Sequence, residues 1–312
     1  MEVKSSTTMQ LLLDHSTTQF DGQESQELQM CPTQHNVLQI TLTGPALIGT
    51  IIVVIISVQV FHPSLTSTLI ALAVIAWIVY NDYDNFLLLG PGGTPSTFLG
   101  YLKIACLRMV ALKNPYEPLS CSSDIYPRIG YFQDTPYLLP QRRGPRPQIA
   151  GIAPQRQINQ RGCSKVYKSL LATLEATAAQ DPARFFTGIS CFEKKGLSLF
   201  SRNPINATCK GEIVHVHNSD RSMHMNMHPD DAKLVIEKGW GERHPLARGG
   251  WFKQYVPREF MMIYAPRNSA EMEVVCRIIE AAGFWVSGEK INLQVRDQAF
   301  NPKEKDVESI SA

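Results

Sequence analysis

Residues Glu212 to His228 read EIVHVHNSDRSMHMNMH, and their pattern is the strongest indication of the fold. Polar and apolar residues alternate in both halves, which is the period of a β-strand whose two faces meet different surroundings. Ser219 and Asp220, in the middle, predict a two-residue turn, so the stretch is expected to form a β-hairpin. In the register that this turn sets, His215 lies directly across from His224.

The two faces of this hairpin carry different side chains. One face is apolar: Val214, Val216, Met223, Met225 and Met227. The other gathers the imidazoles of His215, His217 and His224, because residues two apart on a strand share a face. The apolar face is predicted to pack in the core, so the histidine face must line a cleft, a metal site or water.

Three interpretations of the histidine face stay open. Three neutral imidazoles within reach of one another suit a zinc, copper or iron ion. Without a metal they can act as general bases and proton shuttles, because the unperturbed pKa of histidine is about 6.5. The third interpretation is a polar face that contacts only solvent.

A second cluster follows at 238–246, with the sequence KGWGERHPL. Two glycines flank Trp240, which could close over a flat ligand. Arg243 offers a planar fork able to hold a carboxylate or an enolate oxygen. The plain alternative is a helix end with a packed tryptophan.

Around these clusters the pattern predicts an α+β domain at 161–295, with a mixed or antiparallel sheet and flanking helices. Helices are expected at 164–180 and 229–238, and a third begins at the capping box of Asn268 and Glu271 and stops at Gly283. Further strands are expected at 184–190, 196–202 and 259–265. Before the domain, residues 81–160 read as a Pro-rich arm with a short helix near 97–112. The flanking segments 1–44 and 296–312 read as a disordered polar tail and a loose tail.

A membrane anchor is predicted at 45–80. Only His62 could carry a charge there, and the breaker at 62–64 separates the apolar runs Ala46–Phe61 and Leu65–Tyr80. Because a span needs roughly 20 apolar residues, each run alone is short and both together exceed one crossing. The anchor is therefore either a hairpin of two helices, or one span with the other run lying at the interface.

Charge predicts the orientation. Lys103, Arg108 and Lys113 follow the anchor, while the N-terminal flank is acidic, so the positive-inside tendency places the C-terminal domain in the cytosol. The sequon at Asn206 would be glycosylated only in a lumenal domain, so its state is expected to test the topology.

Composition excludes some classes. The 312 residues carry a net charge of only +2, which does not favour nucleic-acid binding. The seven cysteines are odd in number and form no C-x-x-C pair. They are expected to be buried free thiols in a reducing compartment.

Several of these motifs, taken in order, resemble one known family. They are Glu212-Ile213-x-His215-x-His217 with His224, the run Lys238–Ala247 with x at 242, Tyr264-Ala265-Pro266-Arg267-Asn268 and, upstream, Asp82-Tyr83, Gly90-Pro91, Gly100-Tyr101, Arg146-Pro147 and Gln155-Arg156-Gln157. This pattern resembles the fungal luciferases, enzymes that oxidise 3-hydroxyhispidin with O2 to give light. Residues 218–220 and 248–259 depart from the luciferase pattern, and such loops are where substrate choice would shift.

The resemblance implies a membrane-bound, luciferase-like oxygenase of fungal secondary metabolism that acts on a hydroxylated pyrone or related polyketide-derived phenol, with no organic cofactor. It favours the histidines as bases, while a divalent metal at His215, His217 and His224 stays an alternative. Side-chain chemistry, and not the family, suggests the roles within such a site: His215, His217 and His224 as bases or proton shuttles, Arg243 and His244 as oxyanion support, and Trp240, Tyr264 and Glu212 as substrate-binding residues. A second hypothesis is a non-catalytic membrane protein that keeps the domain as a ligand-binding or scaffold module.

Overall fold

The computed structural model describes residues 44–61, 63–121 and 124–296. The predicted tails at 1–44 and 296–312 lie outside the described residues, apart from Gly44 and Arg296. The described part is an α+β domain with flanking helices, and two apolar helices precede it.

A six-stranded antiparallel sheet forms the centre of the domain, with strand order β3-β4-β5-β6-β8-β7. Its strands are β3 (Phe185–Ile189), β4 (Leu197–Ser201), β5 (Glu212–Val216), β6 (Met223–Asn226), β7 (Gly241–Arg243) and β8 (Phe260–Ile263). A separate two-stranded sheet joins β1 (Ile149–Gly151) to β2 (Gln155–Gln157). The predicted α+β class is confirmed, and the sheet is antiparallel.

The hairpin register is confirmed, since His215 pairs with His224 and Val214 with Met225. The connecting turn is longer than two residues. The strands end at Val216 and resume at Met223, and Arg221, with a φ of 67°, donates its N–H to the carbonyl of His217.

The main core lies on the apolar face of this hairpin. Helices α4 (Ser164–Gln180) and α6 (Ser269–Ser287) cover that face with side chains such as Leu170 and Ile279. Because Val214 and Met225 are fully buried beneath them, the predicted division into an apolar face and a histidine face is confirmed.

Helix α6 does not stop at Gly283, as predicted, but continues to Ser287 and is capped by Gly288 with a φ of 76°. A Cβ at Gly283 would lie 2.4 Å from Cδ1 of Ile291. The glycine therefore provides room for a close approach, and the left-handed cap that glycine favours falls five residues later.

Helices α1 (Gly44–Phe61) and α2 (Leu65–Leu88) contact each other, and both are long and apolar enough to cross a membrane. Only 11% of either apolar window is buried. Helix α2 extends past the predicted end at Tyr80, because its last turns belong to the domain. There Asp82 is buried and pairs with Arg108 at 2.6 Å.

A second, smaller core joins the end of α2 to the sheet. Helix α3 (Phe98–Arg108), which lies within the predicted 97–112, contributes Tyr101 and Ile104, and these pack with Phe86 of α2 and Phe260 of β8. The arm thereby covers the histidine face of the sheet. Helix α5 (Pro229–Glu237) forms where predicted, with His228 as its N-cap.

Candidate active site: a histidine-lined cavity

A cavity of about 390 Å³ lies between the histidine face of the sheet and the arm. Its sheet side is formed by His215, His224 and Phe260. Its cover includes Ile104 of α3 and Gln155 of β2. Residues far apart in the chain therefore line one cavity beside helix α3.

The three histidines of the hairpin meet at the sheet side of this cavity. Nε2 of His217 lies 3.0 Å from Nδ1 of His224, which lies 3.3 Å from Nε2 of His215. All three rings are buried, and His215 and His224 line the cavity while His217 lies behind them. The predicted gathering of imidazoles is thus present.

Glu212 holds His215 from below. Its Oε1 lies 2.5 Å from Nδ1 of His215 and also accepts from the hydroxyl of Ser190, and its Oε2 accepts from the backbone N–H of Cys191. This carboxylate, predicted to bind substrate, contacts His215 and is not among the residues that line the cavity.

A chain of two hydrogen bonds orients the ring of His217 from the side that faces away from the other histidines. Its Nδ1 lies 2.8 Å from the hydroxyl of Ser222, which donates to Asp220 at 2.6 Å. Asp220 also accepts from the backbone N–H of Gln157. The polar turn of the hairpin and strand β2 together fix this ring.

His224 begins a longer chain of hydrogen bonds. Its Nε2 lies 2.9 Å from Oε1 of Gln155, whose amide nitrogen donates to Glu242, and Glu242 also accepts from the hydroxyl of Tyr264. Gln155 and Glu242 were not predicted as site residues. Gln155 could have been identified from the motif Gln155-Arg156-Gln157, because this motif is part of the family resemblance.

Burial favours the neutral form of two of these rings. It lowers the pKa of His217 and of His224 well below the usual value, and the nearby guanidinium of Arg156 and the neighbouring histidines act in the same direction. The same cause raises the pKa of Glu242 to about 7. Glu193, which forms an ion pair with Arg156 at the cavity wall, also has a raised pKa because of burial.

His244 lines the cavity, but both of its ring nitrogens are used by the backbone. Nε2 lies 2.9 Å from the carbonyl of Ile152, and Nδ1 accepts from the N–H of Leu246. Burial lowers the pKa of His244 to about 4. The ring therefore ties the cover to the sheet as a neutral group.

Trp240 and Arg243 are not brought to the histidines. Trp240 is buried in the main core and donates its Nε1–H to the carbonyl of Pro140. Glu242 and His224 both pair with Met262 of β8 and therefore lie on the same face of the sheet. Arg243 pairs with the neighbouring Met261, so its side chain points to the opposite face. Tyr264 is fully buried and reaches the cluster only through Glu242 and Gln155.

The cysteine expectation is wrong for one pair. Cys191 and Cys209 form a disulfide with their Cα atoms 6.0 Å apart, beside Glu212. The fold brings together a loop after β3 and the turn before β5, which sequence spacing did not show. Cys276 is a buried free thiol as expected, whereas Cys106 and Cys121 are exposed.

Comparison with known proteins gives one consistent family. The Luciferase domain family matches residues 210–282, which include the histidine hairpin and β7. The luciferase of Armillaria ostoyae is 33% identical over 221 residues, covering 65% of this chain and 80% of that protein. Those of Neonothopanus nambi and Armillaria mellea are 31% and 32% identical, covering 66% and 70% of this chain and 80% and 86% of the relatives.

No solved structure matches the chain. The relatives nevertheless share about a third of their residues with it across four fifths of their length, and the match extends well beyond the 210–282 segment. The chain belongs to the fungal luciferase family.

Proposed function

We propose that this protein is a membrane-anchored, O2-using oxidoreductase that oxidises a hydroxylated pyrone or a related polyketide-derived phenol in the histidine-lined cavity. The observation that carries the proposal is a cluster of three buried imidazoles, two of which line a cavity. Its relatives carry the name luciferase, and light emission by this chain is a separate measurement.

The cavity suits a small aromatic substrate. Its volume of about 390 Å³ falls in the range of roughly 300–1,000 Å³ that is usual for small-molecule sites. Phe192 and Phe260, whose ring centroids are 4.6 Å apart, supply apolar wall next to His215. A flat ring with a polar edge would therefore meet both kinds of surface.

The histidine cluster supplies the chemistry of this proposal. Oxidation by O2 requires the enolate, because the anion gives up an electron more readily than the enol. The neutral rings can favour that anion either by taking the enol proton or by holding a cation that binds the enolate oxygen. Recombination with reduced oxygen then gives a peroxide, which collapses with loss of CO2.

The apolar helices support a position of this cavity beside a bilayer. Exposed side chains such as Val53, Val60 and Trp77 cover α1 and α2, and the polar end of α2 packs into the domain next to the cavity cover. We propose that the two helices cross the membrane as a hairpin and that the domain lies in the cytosol, as the charges after the anchor favour. A planar, poorly soluble substrate would concentrate where the cavity lies.

Oxygen uptake and CO2 release test the proposal. The full chain in detergent micelles should consume O2 and release CO2 in equal amounts with 3-hydroxyhispidin or another member of a hydroxypyrone panel, and His224→Gln should slow turnover by roughly 10²–10⁴-fold. His228→Asn is the matched control, because His228 caps α5 outside the cavity and asparagine is a good cap. Binding of pyrones without oxygen uptake would instead support a ligand-binding module.

A further inference from the structure

We propose that the facing nitrogens of His215, His217 and His224 bind one divalent first-row transition-metal ion. The hydrogen bonds of each ring indicate which of its two nitrogens carries the proton and which offers a lone pair. The metal site follows from these bonds and distances and is independent of the proposed oxidation.

The outer nitrogen of His215 must carry a proton. Its partner, Glu212, already accepts from the hydroxyl of Ser190 and the N–H of Cys191, which is the behaviour of a carboxylate. Nδ1 of His215 therefore donates to Glu212. Because a neutral imidazole has one N–H, Nε2 of this ring presents a lone pair.

The same accounting applies to His217. The hydroxyl of Ser222 gives its single proton to Asp220 and can only accept from the ring. Nδ1 of His217 is thus the donor, and its Nε2 is the lone pair.

For His224 the partner is an amide whose orientation is fixed by a second contact. Gln155 donates its amide nitrogen to Glu242, so its oxygen faces Nε2 of His224. That ring nitrogen donates, and Nδ1 of His224 becomes the third lone pair.

Three lone pairs therefore converge with no donor between them. Nδ1 of His224 lies 3.0 Å from Nε2 of His217 and 3.3 Å from Nε2 of His215, and one nitrogen of each ring lies within 4.8 Å of the others. Such an arrangement repels itself unless a cation occupies the centre. A shared proton could satisfy one pair at a time, whereas a metal ion satisfies all three nitrogens.

The spacings match those of metal ligands. With metal–nitrogen bonds of about 2.0–2.1 Å, neighbouring ligands lie about 3.3 Å apart in a tetrahedral site and about 3.0 Å apart in an octahedral one. The outer contacts also match, because metal-bound histidines usually donate their second N–H to a carboxylate or another acceptor that fixes the tautomer. Imidazole ligands suit zinc, iron, copper and nickel.

The proposed ion would be reached from the cavity. His215 and His224 line the cavity, and His217 closes the far side. A substrate oxygen entering the cavity could therefore complete the coordination of the ion. In that case the three rings act as ligands, and a bound cation rather than a base favours the enolate.

Metal analysis of the intact protein tests this inference. The full chain, purified in detergent without chelators from cells supplied with iron, zinc and copper, should contain about one equivalent of a first-row metal. The variants His215→Ala, His217→Ala and His224→Ala should each contain less than a tenth of that amount, and His228→Asn should keep it. Far-UV circular dichroism and thermal melting of each variant check that it has folded.

A second variant keeps all three ligands. Glu212→Gln can turn an amide N–H toward His215 and move the ring proton to the inner nitrogen, so metal affinity should fall roughly 10–100-fold. The measurement is titration of chelator-stripped protein with Zn²⁺ and Co²⁺. Folded wild-type protein that contains no metal, and binds neither ion more tightly than the triple histidine variant, would overturn the inference. Stoichiometric metal in a protein that oxidises no pyrone would support the metal site and contradict the proposed oxidation instead.

Discussion

At the scale of single residues, the orientation of each candidate functional side chain depends on a second side chain that contacts it. Each ring of the histidine cluster is oriented by a residue that does not itself face the cluster centre: Glu212, Ser222 or Gln155. The orienting residue decides which ring nitrogen carries the proton. The chemistry of the cavity therefore depends on side chains that a search for histidines alone would pass over.

Replacing Gln155 tests this dependence. Gln155→Leu removes the acceptor of His224 and frees its ring proton to move to the inner nitrogen, so kcat/KM for oxygen uptake should fall roughly 10–100-fold. Gln155→Glu keeps an acceptor at the same position and should retain more activity than the leucine variant. Equal activity of the two variants would show that the tautomer of His224 does not matter.

A second residue-scale prediction concerns Asp231, which lies outside the site. This buried carboxylate accepts the backbone N–H groups of Tyr131 and Phe132, and burial raises its pKa from 3.8 to about 6. Between these two values the folded chain binds a proton that the unfolded chain does not. The free energy of unfolding should therefore fall as pH rises from about 4 to 6, by up to ~3 kcal/mol.

Thermal melting from pH 4 to 7 measures this effect. The melting temperature of Asp231→Asn should lose the part of the pH dependence that Asp231 contributes. Glu237→Gln is the control, because this side chain lies on the same helix, is 53% exposed and should give a melting curve that follows wild type. Identical pH profiles for Asp231→Asn and wild type would refute the assignment.

At the scale of elements, helix α6 shows how packing overrides a local signal. Gly283 is a sensible stop signal in the sequence, yet the helix continues through it because Ile291 packs against its bare Cα. Gly288 provides the left-handed cap instead. A glycine needed for close approach and a glycine needed for its backbone angle cannot be told apart without the neighbouring chain.

Gly283→Ala should therefore destabilise the domain even though alanine is the better helix former. The added methyl group would lie 2.4 Å from Cδ1 of Ile291, and overpacking of this kind costs about 1–3 kcal/mol. Chemical denaturation measures the loss. Ile291→Val removes the closest atom, so the double variant should recover part of the stability, and a stabilised single variant would contradict the packing.

At the scale of the whole molecule, the apolar helix α2 continues directly into the packing of the domain. The polar end of α2 carries Asp82 into a buried ion pair with Arg108 of α3, and α3 covers the cavity. The expectation that the sequon at Asn206 reports topology stays a prediction. In the folded domain the amide nitrogen of Asn206 donates to the carbonyls of Tyr126 and Trp285, and a glycosylated Asn206 would indicate a lumenal domain.

Protease protection of epitope tags measures the topology directly. If α1 and α2 cross as a hairpin, epitope tags at the two ends of the chain should lie on the same side of sealed microsomes and be cut by protease together. Deleting residues 46–61 leaves one crossing, so the tags should then lie on opposite sides. Tags on opposite sides of the full chain would show a single crossing in the native protein.

Local and periodic features of this protein can be predicted from its sequence. Alternation from Glu212 to His228 fixes the strand register and puts His215, His217 and His224 on one face, because strand geometry has a period of two. Uninterrupted apolar runs likewise predict α1 and α2 from composition alone. Both signals lie within a few tens of residues, where spacing translates directly into geometry.

The partners of the histidines could not be predicted in this way, because they depend on the three-dimensional packing of the chain. Gln155 and Glu242 reach His224 from other strands, Cys191 meets Cys209, and Trp240 turns into the core because β7 pairs with β8. These contacts join segments that are distant in the chain, so their spacing in the sequence carries no geometric information. The sheet is buried between two hydrophobic cores, and the way in which these cores pack determines which side chains lie together at the cavity.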